Sequence, residues 1–166
     1  MPLIMFSLPV PGKITSHFGP RVHPVTKKPH EHNGVDFRAA TGTPVTAAAP
    51  GTVAFAGEMG ANGLLVRLDH GGGVETLYAH NSRLLVKAGQ VVAQGEKIAL
   101  AGSTGRSTGS HLHFGVKVKG RHVDPLSVLQ KGVEIAAAIV PSAPPTVKNI
   151  LPGVLIVGLI LWAVSR

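Results

Sequence analysis

Glycine and proline interrupt this chain at short intervals, and their spacing limits most uninterrupted segments to the length of a strand. The 166 residues include 21 glycines and 13 prolines, and few stretches repeat apolar residues with a helical period. Segments rich in branched and alternating apolar residues fill the intervals. We therefore predict strands at 12–17, 35–37, 51–56, 64–69, 74–79, 97–101 and 112–118.

The connections between these segments indicate an all-β fold built from antiparallel sheets. Three consecutive glycines at 71–73 separate two predicted strands and favour a hairpin. Only residues 125–130 are typical of a short helical turn. The length suits one ordinary domain, which we place at residues 1–130, followed by a small appendage.

Three segments that carry histidine lie far apart in the chain. They are His-Asn-Gly-Val-Asp at 32–36, Leu-Tyr-Ala-His-Asn at 77–81 and Ser-His-Leu-His-Phe-Gly at 110–115. In an extended segment the even offset between His32 and Asp36 places both on one face, and the same holds for His111 and His113. Together the segments supply two imidazoles and a carboxylate for one divalent metal, with two more imidazoles beside it.

Each motif alone has a simpler explanation. A lone His-x-x-x-Asp is usually a solvated loop or a local hydrogen bond, and surface or turn positions are the default for the other histidines. The coexistence of three segments is what favours a metal site. No cysteine is present, which excludes a thiolate site. A catalytic zinc typically takes three protein ligands and leaves one position for water.

The chain resembles the zinc metallopeptidases of the lysostaphin/LytM type, which cut peptide bonds in bacterial peptidoglycan, from about residue 12 to residue 129. The matching motifs are Thr-Ser-His-Phe-Gly-Pro-Arg-Val-His-Pro at 15–24, His-Asn-Gly-Val-Asp-Phe at 32–37, Gly-Thr-Pro-Val at 42–45, Ala-Pro-Gly-Thr-Val at 49–53, Tyr-Ala-His at 78–80, the segment 91–95, Gly-Ser-Thr-Gly at 102–105 and His-Leu-His-Phe at 111–114. The resemblance implies antiparallel sheets of the duplicated hybrid motif type, with an active-site groove across one sheet.

The resemblance also implies the roles of particular residues. It assigns His32, Asp36 and His113 as ligands of one zinc ion per chain. It places His80 and His111 beside the attacking water and the developing oxyanion. A weaker correspondence puts Arg21 and His23 on the wall of the cleft, in contact with substrate. No family ligand is missing, which argues against the inactive relatives that serve as binding modules.

The histidines are also suited to hydrolysis on chemical grounds, independently of the resemblance. The chain lacks His-Glu-x-x-His, so a glutamate base of the helical zinc proteases is absent. Histidine, whose ordinary pKa is about 6.5, is the natural substitute. We assign His111 as general base and His80 as the partner of the oxyanion, and keep the exchanged assignment as an alternative.

Two other classes of function remain as alternatives. One is a catalytically silent module that binds peptidoglycan or forms a structural membrane protein. The other is phosphotransfer, since some sugar-transport carrier domains place two histidines on a β sandwich, although they need no Asp36. Zinc content separates the peptidase from the phosphotransfer domain, and hydrolysis separates it from the silent module.

The formal net charge of +8 points to an anionic environment. The chain offers no aromatic stacking platform and no recognition helix, so we expect no nucleic acid partner. Polyanions of the cell envelope supply the counter-charge equally well. We therefore predict a peptide of peptidoglycan as the substrate and proteins of a virion or envelope as further partners.

The C-terminal end differs in composition from the rest. Residues 131–148 contain the prolines of an extended linker, and residues 150–164 carry no charged or strongly polar side chain. As a helix these 15 residues cover about 22 Å, which is short of a bilayer core. Trp162 near one end, with Lys148 and Arg166 as flanking cations, still favours insertion. We predict a membrane-anchor helix at 149–166; a buried helix or a docking segment is the alternative.

Residues 1–10 are apolar but lack a basic n-region and a small-residue cleavage site, so we do not interpret them as a signal peptide. A wall-cutting domain with a C-terminal anchor then needs another route to the wall. We expect it in the membrane or entry apparatus of a bacteriophage, with the bacterial cell envelope as the alternative.

Overall fold

The structure is a computed structural model that describes residues 3–22 and 27–134. The described part consists of fifteen strands, one 3-10 turn at Gly60–Asn62 and one α-helix. The strands before the 3-10 turn are β1 (Leu3–Ile4), β2 (Ile14–Ser16), β3 (Gly19–Val22), β4 (Pro29–His32), β5 (Val35–Arg38), β6 (Pro44–Thr46) and β7 (Gly51–Glu58). Those after it are β8 (Leu64–Asp69), β9 (Val74–Asn81), β10 (Arg83–Leu84), β11 (Val91–Val92), β12 (Lys97–Leu100), β13 (His111–Val118), β14 (Arg121–Val123) and β15 (Val133–Glu134), with α1 (Pro125–Lys131) before β15.

One large antiparallel sheet carries the site. Its strand order is β11-β7-β8-β9-β13-β5-β2, and β14 pairs with β13 beside this path. The alternation along β13 buries Leu112, Phe114 and Val116 completely and turns His111 and His113 to the opposite face. The sheet therefore has a core face and a functional face.

The core forms between this sheet and a smaller one of order β10-β12-β6. Val45 and Ile98 from the small sheet join Phe37, Tyr78 and Phe114 from the large sheet in one buried cluster. The ring centroids of Tyr78 and Phe114 lie 5.4 Å apart. This packing fixes the strands from whose other face the site is built.

A polar chain crosses the core without leaving its groups unsatisfied. The Ala48 N–H donates to the Tyr78 hydroxyl at 2.9 Å, and Thr76 Oγ1 lies 3.0 Å from that hydroxyl and 2.7 Å from His70 Nε2. His70 Nδ1 donates to the Pro50 carbonyl at 2.7 Å. Burial raises the pKa of Tyr78 to about 12 and lowers the pKa of His70, so both stay neutral.

The predicted all-β architecture is confirmed. Each of the seven predicted segments contains a strand, the 71–73 connection joins β8 to β9, and α1 begins at the predicted Pro125, where Asp124 caps the Leu126 N–H. The sequence did not predict the other eight described strands, each of two to four residues, among them the hairpin of β3 and β4.

No helix among the described residues has the length and apolar character needed to cross a bilayer. The predicted anchor at 149–166, and the predicted linker beyond residue 134, lie outside the described residues. The described chain ends in β15, whose Val133 and Glu134 pair with Ile4 and Leu3 of β1.

Candidate metal centre and active-site cleft

Three side chains from three strands converge at one end of the functional face. His32 ends β4, Asp36 lies in β5, and His113 lies opposite Asp36 in β13. His32 Nε2 is 3.1 Å from Asp36 Oδ1 and 3.1 Å from His113 Nδ1, and the latter two atoms are 2.8 Å apart. The structure thus brings the three predicted ligands together as a group able to hold a metal ion.

The protonation pattern of His32 favours a cation at this point. Its Nδ1 lies 2.7 Å from the His17 carbonyl, which can only accept a hydrogen bond. In neutral His32 the Nε2 atom therefore carries a lone pair, and this lone pair faces a carboxylate oxygen and a second imidazole nitrogen. Zinc bonds of 2.0–2.1 Å in tetrahedral geometry separate ligand atoms by about 3.3 Å. The three donor atoms lie 2.8–3.1 Å apart, close to the separation expected around a zinc ion.

His32 and Asp36 reach the site differently from the sequence prediction. They do not lie on one face of a single extended segment, because the chain turns between β4 and β5 at Asn33 and Gly34. A Cβ on Gly34 would lie 2.5 Å from the Phe114 carbonyl oxygen and 2.7 Å from Cε1 of His113. The turn needs glycine because the His113 ring occupies that space.

Asp36 is held as a carboxylate by its neighbours. Burial would raise its pKa, but hydrogen bonds with His113 and His32 outweigh burial and hold the pKa well below its usual range. Its second oxygen, Oδ2, lies 3.7 Å from Nη1 of Arg21, and the same guanidinium is hydrogen-bonded to Ser16. Arg21 therefore lies at the cleft and contacts a ligand residue directly.

His80 and His111 face each other beside the ligands, with ring centroids 4.8 Å apart. His80 Nδ1 donates to the Thr104 carbonyl and His111 Nδ1 to the Gly109 carbonyl, both at 2.8 Å. Their Nε2 atoms are therefore left as proton acceptors in the neutral rings. The Nε2 of His111 lies 3.9 Å from Asp36 Oδ1, so it faces the ligand group.

His80 occupies an unusual environment. Its backbone has φ of 64°, a left-handed conformation that a non-glycine residue adopts at a cost and that is frequent at functional sites. Its side chain is buried, and burial lowers its pKa against the opposing effect of the Thr104 hydrogen bond. A neutral imidazole is therefore maintained in the cleft at neutral pH.

The loop at 102–109 contacts both imidazoles, a role that the sequence analysis did not predict. The loop is itself held in place by a side chain. Thr104 Oγ1 donates to the Asn81 carbonyl at 2.6 Å and accepts from the Leu64 N–H at 3.0 Å. Ser107 Oγ lies 3.2 Å from His111 Nδ1. The Gly-Ser-Thr-Gly motif was visible in the sequence, but nothing in it indicated which histidines the loop would orient.

The ligands and the two imidazoles lie in a cleft of about 610 Å³. The β3–β4 hairpin contributes Arg21 and Glu31 to one wall, and the 3-10 turn with the 102–109 loop contributes Asn62 and Arg106 to the other. His23, the other predicted wall residue, lies outside the described residues. The cleft is large enough for several residues of a peptide.

Known proteins similar in sequence to this chain include metallopeptidases. A family model described as Peptidase family M23 matches residues 30–125. The chain is 50% identical over 123 residues to a Haemophilus influenzae protein named as an uncharacterized metalloprotease, covering 73% of this chain and 26% of that protein. It is 44% identical over 126 residues to the DD-carboxypeptidase/endopeptidase Mpg of Neisseria meningitidis, covering 76% and 29% respectively. The chain thus spans well under a third of these relatives.

Solved structures with a similar fold also include peptidases. A zinc-containing peptidase from Vibrio cholerae has a TM-score of 0.69 at 43% identity, over 74% of this chain and 39% of that one. The catalytic domain of lysostaphin from Staphylococcus simulans has a TM-score of 0.67 at 33% identity, over 72% of this chain and 93% of that domain. On the family match and these similarities, the chain belongs to peptidase family M23.

Proposed function

We propose that this protein is a zinc-dependent endopeptidase that hydrolyses peptide cross-links or stem peptides of bacterial peptidoglycan. The observation that carries the proposal is the convergence of three metal-donor atoms within 4.8 Å of one another, beside two imidazoles whose Nε2 atoms are free to accept a proton. The relatives support the substrate class, since they include proteins named peptidoglycan DD-endopeptidases in Vibrio cholerae.

His32 Nε2, Asp36 Oδ1 and His113 Nδ1 are the atoms that would hold the zinc ion. When bound, zinc supplies a Lewis acid that polarises the scissile carbonyl and lowers the pKa of water. Three protein ligands suit a catalytic rather than a structural site, because one position stays open. The His17 carbonyl fixes the His32 tautomer, and Arg21 restrains the second oxygen of Asp36.

The two free imidazoles account for the proton transfers. His111 accepts a proton from the attacking water as the new C–O bond forms. It then returns the proton to the leaving amine as the C–N bond breaks. His80 would stabilise the oxyanion that develops on the substrate carbonyl once its Nε2 carries a proton, because the neutral ring that donates from Nδ1 to Thr104 has a lone pair at Nε2. The exchanged assignment has its own support, because burial lowers the pKa of His80 and keeps it able to accept a proton.

The test is hydrolysis of purified peptidoglycan by the full chain. We expect loss of turbidity and release of new amino termini with zinc, and neither with a chelator or with His113→Ala. Mass analysis of the fragments identifies the bond. A folded protein with one zinc per chain that releases no amine from several wall chemistries would support the silent binding module instead.

We also propose that residues 150–164 tether the protein to a lipid membrane. The support is the absence of charged and strongly polar side chains from residues 150–164, with Lys148 and Arg166 as flanking cations. Flotation with liposomes tests the tether: the full chain is expected to float, and a chain ending at residue 134 is expected to stay in the dense fraction. The placement in a bacteriophage particle remains a prediction from the sequence.

A further inference from the structure

A second cavity, of about 200 Å³, continues the active-site cleft along the functional face of the large sheet. Asn33, Asn62 and His113 line both spaces. A peptide lying over the metal ligands can therefore extend into this second cavity without leaving the surface groove.

The floor of the second cavity comes from three neighbouring strands. Leu77 of β9 lies between Arg67 of β8 and Gly115 of β13 in the register of the sheet. One row further on, Lys117 lies opposite Glu75 of β9 and His122 of β14. The absence of a side chain at Gly115 keeps the floor low between His113 and Lys117.

The far end of this cavity is positively charged. Arg67 Nε lies 3.6 Å from Glu75 Oε1, so one cation is matched by one carboxylate. Lys117 is half-buried and has no such ion pair among residues 3–22 and 27–134. His122 Nδ1 is a buried polar atom without a hydrogen-bond partner in that part of the chain, and the distance from Arg67 Nε to Glu75 is too long for a hydrogen bond.

We infer that the cavity bounded by Arg67, Lys117 and His122 is a substrate subsite for a free carboxylate of the peptide. The inference rests on the proposed peptidase function and specifies its substrate class. Lys117 supplies the uncompensated positive charge, and Arg67 places a second cationic side chain on the wall of the cavity. A carboxamide in the same place could still accept a hydrogen bond from Lys117 but would lose the attraction between opposite charges.

The sheet geometry fixes the distance of this carboxylate from the reacting bond. Lys117 lies four residues beyond His113 on β13, which corresponds to about 13 Å at 3.3 Å per residue. An extended peptide covers that distance with about four residues. The recognised carboxylate therefore lies three to four residues from the scissile bond.

The experiment compares paired substrates with the full chain. Peptidoglycan fragments with free carboxylates in the stem peptide and the same fragments with those groups amidated are cleaved by wild type, Lys117→Gln and Lys117→Arg. Lys87→Gln is the matched control, because Lys87 is exposed and lines neither cavity. We measure kcat/KM and KM for each pair.

Wild type and Lys87→Gln are expected to prefer the free carboxylate by roughly 10- to 100-fold, the range for a charge-assisted hydrogen bond. Lys117→Gln should lose this preference through KM while cleaving the amidated fragments at the wild-type rate. Lys117→Arg should restore it in large part.

Two results separate the possible failures. Equal cleavage of both substrates by wild type, or an equal loss on both substrates in Lys117→Gln, overturns the subsite alone. Cleavage of neither substrate, nor of whole peptidoglycan, by zinc-loaded wild type overturns the proposed function and the subsite with it.

Discussion

At the scale of single residues, the structure indicates different roles for His113 and His80. His113 offers Nδ1 to the metal group, whereas His80 directs Nδ1 to the Thr104 carbonyl and keeps Nε2 for a proton. His113→Ala should therefore lose bound zinc and activity together. His80→Ala should keep about one zinc per chain and lose activity by roughly 10²- to 10⁴-fold, the usual contribution of a proton-transfer group.

Metal analysis of the two purified variants, with thermal melting to establish folding, checks this division. Loss of zinc from a folded His80→Ala variant would contradict it, because that result would make His80 a ligand.

Gly34 gives a second prediction at this scale. In Gly34→Ala the new methyl meets the Phe114 carbonyl oxygen and the ring of His113, so the backbone or the ring must move. We expect a loss of about 1–3 kcal/mol in the free energy of unfolding, as for other overpacked sites, together with weaker zinc binding. Gly109→Ala is the control, since a Cβ there meets no atom within 4 Å. Equal zinc affinity in both variants, measured by competition with a chelating dye, would refute the role of Gly34.

The convergence of His32, Asp36 and His113 could be predicted from the motifs and the resemblance that they carry, but its geometry could not. The spacing of His32 and Asp36 suits one extended segment equally well, and only the packing of Gly34 against the His113 ring shows why the chain turns there. The groups that orient both imidazoles are backbone carbonyls. Every residue has one, so the pattern of side chains does not indicate which carbonyls are used.

At the scale of elements, the 102–109 loop orients the two imidazoles to which catalysis is assigned in the proposal. Thr104→Val removes the hydroxyl that joins this loop to β8 and β9 through Leu64 and Asn81. The Thr104 carbonyl should then move, and with it the orientation of His80. We expect kcat to fall by one to two orders of magnitude while zinc content and KM stay near wild type, since a small displacement of a catalytic group costs about that much. Thr104→Ser, which keeps the hydroxyl, should recover most of the rate.

The elements that the sequence did not predict share one physical property. The β3–β4 hairpin projects from the sheet, and Pro29, His30 and Glu31 are all exposed. Apolar periodicity reports burial of one face of a strand, so a strand with no continuous buried face leaves no such pattern. The long central strands, by contrast, were predicted because they pack on the core.

At the scale of the whole molecule, the three predicted metal ligands come from parts of the chain that are distant in sequence. Zinc would connect the end of β4, β5 and β13, which includes a contact between His32 and His113 across 81 residues. A ligand that binds only the folded state stabilises it by about 4 kcal/mol at a free concentration 1,000-fold above its Kd. We therefore expect a chelator to lower the melting temperature of wild type by several degrees, and zinc to restore it. His113→Ala should melt near the chelated value with or without zinc, whereas His80→Ala should respond to zinc as wild type does. A zinc-dependent rise in the melting temperature of His113→Ala would show that the ion binds elsewhere.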